Sequence, residues 1–158
     1  MAQKLSQMAQ KLMHENNITY LIRKAAYDVH VALGPGLLES AYEAALMHEL
    51  RLLGLLVQNQ VGLPMDYRGI HLDIGYRIDL LVESKVVVEL KTVEALLDVH
   101  HMQLVTYLKL SGCKAGLLIN FNVARIKDGM FCKVNGLEEE PPSAASANSS
   151  APSAVKNP

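Results

Sequence analysis

Residues 77 to 91 read RIDLLVESKVVVELK. Ile78, Leu80, Leu81 and Val82, then Val86, Val87, Val88 and Leu90, are what a buried β-hairpin requires. Asp79, Glu89 and Lys91 sit inside those apolar runs, and a buried charge is costly unless it is paired or binds a metal. Side chains alternate faces along a strand, so Arg77 shares a face with Asp79, and Glu89 with Lys91. A turn centred on Ser84 sets Asp79 opposite Glu89 and Arg77 opposite Lys91. A slip of one residue sends the two carboxylates to opposite faces.

Two carboxylates facing each other across a strand pair repel. A hard divalent cation offsets that repulsion, because Mg²⁺ takes one or two protein carboxylates and keeps several waters. With Lys91 beside them to orient a water or meet a phosphate, the set suits metal-assisted hydrolysis. The competing reading is an ion-pair cluster in which Arg77 and Lys91 neutralise Asp79 and Glu89. The hairpin pattern alone leaves both open.

Apolar residues recur at helical spacing from Ile18 to Leu33, and GPG at 34–36 ends that helix. A second helix is expected over 37–53. Glu39 lies in its first turn, placed either for the helix dipole or as a third acid of the same site. Tyr42, three residues on, reaches the same face. Strand spacing follows in VQNQVGLPMDY, where Pro64 predicts an edge strand. IHLDIGYRIDLLV follows, with Gly75 as a bulge or bend, and then KVVVELK. Asp98 is the expected cap of a helix over 99–110. On it His100, Gln103 and Tyr107 form a polar stripe that marks either a site or a solvated face. His100 reads as a phosphate or water contact or a surface residue, rather than a metal ligand. AGLLINF is a buried strand and GMFCKV a candidate short last one. The order α-α-β-β-β-α-β allows a parallel pairing where the helix crosses between the third and fourth strands.

The chain has 158 residues and a formal net charge of -1, enough for one domain with a real core. The tail after Leu137 takes Glu138, Glu139 and Glu140 and one lysine, Lys156, which leaves the body near neutral. No basic stripe of the kind that drives tight non-specific nucleic-acid binding is present. Cys113 and Cys132 have no metal-binding spacing and read as reduced thiols in or near the core. No apolar run suits a membrane helix or secretory leader, so a soluble, intracellular (cytoplasmic) protein is expected. The expected organisation is an N-terminal extension over 1–17, partly helical, a domain over 18–137 and a disordered tail over 138–158. MAQKL occurs at 1 and again at 8, putting Met1, Leu5, Met8 and Leu12 on a heptad-like stripe, either a frayed helix or a docking helix.

GLLESAY at 36–42 resembles the GxxExxY signature of a family of small prokaryotic-type proteins. YRIDLLVESKVVVELK, HHMQLVTYLKLSG and GLLINFNVARIKDG resemble that family's other blocks in the same order, over 18–137. The family is placed in the PD-(D/E)xK nuclease superfamily. The resemblance implies an α/β, restriction-endonuclease-like core with a central four-stranded mixed sheet flanked by helices. It implies Asp79 as the first motif acid and Glu89 and Lys91 as E-x-K, with Ile78 where the name has Pro. Gln103 and Tyr107 match a Q-x-x-x-Y helix, and Glu39 matches the helix glutamate that joins such sites. The implied catalytic set is Glu39, Asp79, Glu89, Lys91, Gln103 and Tyr107. The implied metal is Mg²⁺ or Mn²⁺, on Asp79, Glu89 and Glu39. Tyr42, Arg77 and His100 are the candidate substrate contacts. The implied reaction is phosphodiester hydrolysis by a metal-activated water, with DNA the expected partner and RNA an alternative. A core this small implies help from a homo-oligomer or partner protein in gripping a duplex. The alternatives are a non-catalytic binding or assembly module on the same fold, and another metal-dependent phosphoester hydrolase.

Overall fold

The computed structural model describes residues 1–5 and 13–138. Residues 2–5 are helical. The heptad positions Met8 and Leu12, and the tail from 139 on, lie outside the described residues. The elements are α1 (Glu15–Leu33), α2 (Glu39–Leu52), β1 (Val57–Tyr67), β2 (Ile70–Val82), β3 (Val86–Lys91), α3 (Asp98–Ser111), β4 (Ala115–Asn120) and β5 (Met130–Val134), with a 3-10 turn at Ile126–Gly129 before β5.

The five strands lie in sequence order in one sheet. Every neighbouring pair is antiparallel except β3 and β4, which run parallel with α3 as their crossover. The fold is therefore α/β with a mixed sheet flanked by helices, consistent with a restriction-endonuclease-like fold. The implied four-stranded sheet is corrected to five: Met130–Val134 pairs along Ala115–Ile119 and covers an edge of β4 that would otherwise be open. Cys132 lies exposed on that strand, whereas Cys113 is buried; both are free thiols.

Pro64 does lie in an edge strand. The register between β1 and β2 shifts beside it, between the pairs Leu63↔Tyr76 and Met65↔Leu72, and Gly75 in the extra stretch takes a φ of 78°. β3 and β4 are buried on both faces, as expected of central parallel strands. One face packs Leu80, Val88, Leu90, Leu117 and Ile119 against Ile18, Ile22, Leu46 and Leu50 of α1 and α2. The other packs Val87 and Leu118 against Leu104, Tyr107 and Leu108 of α3.

The β2–β3 turn decides the site. Lys85 donates its N–H to Val82, and Glu83 and Ser84 both take a φ of 55°, which closes a tight turn of two central residues. The first ladder pair is nevertheless Val82↔Val86, because Lys85 adds one residue between turn and ladder. Without that addition the register would move by one and Asp79 and Glu89 would face apart. Glu83 is held in its unfavourable conformation by two bonds to Leu56, its N–H donating to the Leu56 carbonyl at 2.8 Å and its Oε1 accepting the Leu56 N–H at 2.6 Å.

Candidate active site

The β2–β3 ladder runs Val82↔Val86, Leu81↔Val87 and Leu80↔Val88, and stops there. One step further the side chains take over. The Asp79 N–H donates to Glu89 Oε1 at 3.2 Å, and the Leu90 N–H donates to Asp79 Oδ2 at 2.8 Å. Each carboxylate thus receives an amide from the opposite strand, which satisfies backbone donors that would otherwise be half-buried and unpaired. The two acids form a reciprocal clasp at the point where the strands part. Glu89 is only 3 % exposed.

Burial, and then the charge of Asp79, push the Glu89 carboxyl up to about 8. Asp79 is also raised, mainly by burial, against the pull of the Leu90 amide. Glu39, at the start of α2, is raised by burial and then by Asp79, and eased by Lys91. Glu39, Asp79, Glu89 and Lys91 are thus close enough to feel one another's charge. Yet the ion-pair cluster of the competing reading does not form. Among the described residues the salt bridges are Lys24–Asp28, His71–Asp66 and Arg125–Asp128, and none involves Arg77 or Lys91. Arg77, exposed, donates from Nη1 to the Gln60 carbonyl at 3.4 Å.

On α3, Gln103 Nε2 donates to the Tyr107 hydroxyl oxygen at 2.8 Å. Burial is the main cause of the raised Tyr107 phenol, and the charges of Glu89 and Asp79 add to it. The stripe of α3 therefore turns its Gln103–Tyr107 end towards the acids. His100 does something else. Its Nδ1 accepts the Leu97 N–H at 3.0 Å and closes the start of the helix. This corrects one expectation, since Asp98 is the first helical residue rather than the cap; His100 uses only its Nδ1 in that bond.

Tyr42 is a further correction: it is 0 % exposed and offers no surface to a substrate. Its ring stacks on Phe121 with centroids 4.4 Å apart, and its hydroxyl donates to the Gly34 carbonyl and accepts the Leu37 N–H. It ties the 34–37 loop to the core and so sets where α2 begins, which places Glu39. Tyr42→Phe is expected to cost about 0.5–1.5 kcal/mol by removing both bonds to the partly exposed 34–37 loop, measured as a lower urea midpoint at unchanged slope; an unchanged midpoint would remove this role.

Two residues were not anticipated. Gln60 lies opposite Asp79 in β1, between the pairs Asn59↔Leu80 and Val61↔Ile78, with a φ of 50° that non-glycine residues rarely adopt. Its Nε2 donates to Glu43 Oε2 at 2.9 Å, and its side chain lies near enough to Asp79 to draw that carboxyl slightly down against burial. Glu43, one turn beyond Glu39 on α2, also receives Asn59 Nδ2 at 3.4 Å. The i, i+4 spacing of Glu39 and Glu43 was the available signal. Gln60 carried none, because its place depends on β1–β2 register.

A family match covers residues 16–132 and is to the PD-(D/E)XK nuclease superfamily. The chain belongs to that superfamily. No curated protein and no solved structure matches it. PD-(D/E)XK proteins generally hydrolyse phosphodiester bonds and typically use divalent metals. In this member Asp79, Glu89 and Lys91 stand in the order that the superfamily's name spells.

Among the described residues no three Asp, Glu, His or Cys side chains are gathered tightly enough to form a ready-made metal cluster. The residues still fit a Mg²⁺-type ion. Such an ion needs one or two carboxylates and fills its remaining positions with water and substrate oxygens. Asp79 and Glu89 supply two hard oxygen donors side by side, and Glu89 Oε2 has no hydrogen-bond partner among the described residues. Their mutual repulsion is what a bound cation would relieve.

Proposed function

We propose that this protein is a divalent-metal-dependent nuclease that hydrolyses phosphodiester bonds in DNA, and that it belongs to the GxxExxY branch of the superfamily. The reciprocal clasp of Asp79 and Glu89 carries the reading: a half-buried and a buried carboxylate, both raised, in no salt bridge among the described residues. They would hold Mg²⁺ or Mn²⁺, with Glu39 as the third acid on its water shell. The ion, when bound, supplies Lewis acidity at a phosphodiester oxygen and makes a nearby water more acidic.

The chain's own residues do the rest. Lys91, in no salt bridge among the described residues, is placed on the Glu89 side of β3 to orient the attacking water and meet charge growing on the phosphate. The raised phenol of Tyr107 keeps its proton, and Gln103 occupies its oxygen from the other side, so its O–H is available as a donor. Gln60, itself held by Glu43, backs Asp79 from β1. Arg77 lies exposed at the margin as a phosphate contact. Purified protein with Mg²⁺ or Mn²⁺ on linear, supercoiled and single-stranded DNA tests the reading. Cleavage that stops with EDTA is the expected result; no cleavage of any substrate with either metal would overturn it.

A further inference from the structure

Beside Gln103 and Tyr107 lies a depression of about 300 Å³, lined by Tyr76, Val99, Met102, Gln103, Thr106 and Tyr107. It sits between β2 and α3 and adjoins the acids through Tyr107, which packs in one cluster with Ile78, next to Asp79, and Val87, two residues before Glu89. Val99, Met102, Gln103 and Thr106 follow helical spacing and form one face of α3. Tyr76 faces them from β2, three residues before Asp79, with its ring 5.9 Å from that of Tyr107 at 57°. Met102 is 66 % exposed and Tyr76 36 %, so the depression opens to solvent.

We propose that this depression seats an unpaired nucleobase of the substrate, next to the phosphate held at Asp79 and Glu89, so that single-stranded DNA or a frayed end is the preferred substrate. The proposal rests on the phosphodiesterase reading above. A nucleotide offers a phosphate, a sugar and a base. The lining has no charged side chain and is largely apolar, which suits the base better than the phosphate. The exposed Tyr76 ring and the Met102 thioether give flat apolar contact over the buried Tyr107, and Gln103 and Thr106 give hydrogen bonds to a base edge. The base beside a bound phosphate hangs from the same backbone and must lie close by. A base inside a duplex has both faces covered by its neighbours, so only an unpaired one can stack on protein. The charge balance points the same way. With a net charge of -1 and no basic stripe, counterion release supplies little affinity, and stacking must supply more.

Full-length protein carrying Lys91→Met, which leaves Asp79 and Glu89 to hold the metal and removes cutting, is titrated in Mg²⁺ into an oligodeoxynucleotide with one 2-aminopurine, single-stranded or annealed to its complement. Saturable quenching is expected with the single strand, about tenfold or more tighter than with the duplex, and weakened about tenfold or more by adding Tyr76→Ala or Met102→Glu. Both side chains are exposed, so neither change disturbs the core. Equal affinity for the two DNA forms, or quenching that ignores both substitutions, would overturn the base seat. Wild-type protein that quenches the single strand in this way without cutting it would keep the base seat and remove the nuclease reading. Cutting that ignores Tyr76 and Met102 would do the reverse.

Discussion

Replacing Glu89 with glutamine is expected to lower metal-supported DNA cleavage about a thousandfold or more, because a lost metal carboxylate removes several kcal/mol of transition-state stabilisation. Glutamine keeps the length of the side chain and an oxygen that can accept the Asp79 N–H, so the clasp geometry survives. What is lost is the negative charge. A fall in kcat with a urea midpoint no lower than that of the wild type would locate the loss in chemistry. Activity within about tenfold of wild type would remove Glu89 from the site.

The same residue should dominate how stability depends on pH. Folded Glu89 keeps its proton up to about 8, whereas an unfolded chain releases it near the ordinary value of 4.5. Between those limits the folded state binds more protons, so raising the pH favours unfolding. Metal-free protein is therefore expected to lose stability on going from about pH 5 to pH 8, on the order of a few kcal/mol. Asp79 and Glu39, both raised, act with the same sign. A bound cation favours the ionised carboxylates, so stabilisation by Mg²⁺ should grow with pH. Glu89→Gln should flatten the metal-free curve and raise stability at pH 8. Unfolding in EDTA across this range checks the sign, and a metal-free stability that rises over the same window would contradict it.

Much of the fold was legible because local chemistry forced it. GPG could only end a helix, Pro64 could only sit at an edge, and the apolar hairpin could only be central. The facing of Asp79 and Glu89 was legible because the pleat leaves two choices, and a centre on Ser84 selects one. How that centre arises was not legible. A tight turn at Glu83 and Ser84 would give the other register, and Lys85 restores it as an added residue. Tyr42 misled because a polar aromatic near an acid looks like a site residue, but it spends its hydroxyl on nearby backbone, and spacing does not reveal the partner. Arg77 and Lys91 misled in the opposite direction. Opposite charges on one face suggest pairing, yet the diverging strands leave no salt bridge between them and the acids among the described residues. The Gln60–Glu43 link needed tertiary placement of α2 over β1, which no local pattern encodes.

The central claim is that Asp79 and Glu89 together bind a divalent cation. Calorimetric titration of metal-free protein with Mn²⁺ at pH 7, in two buffers of different ionisation enthalpy, tests it most directly. The account predicts one saturable site whose occupation releases a proton, because Glu89 still holds one at that pH. Binding and proton release should both vanish in Glu89→Gln, and binding should weaken strongly in Asp79→Asn. Mn²⁺ binding of unchanged affinity in both variants, or no saturable binding to the wild type, would contradict it.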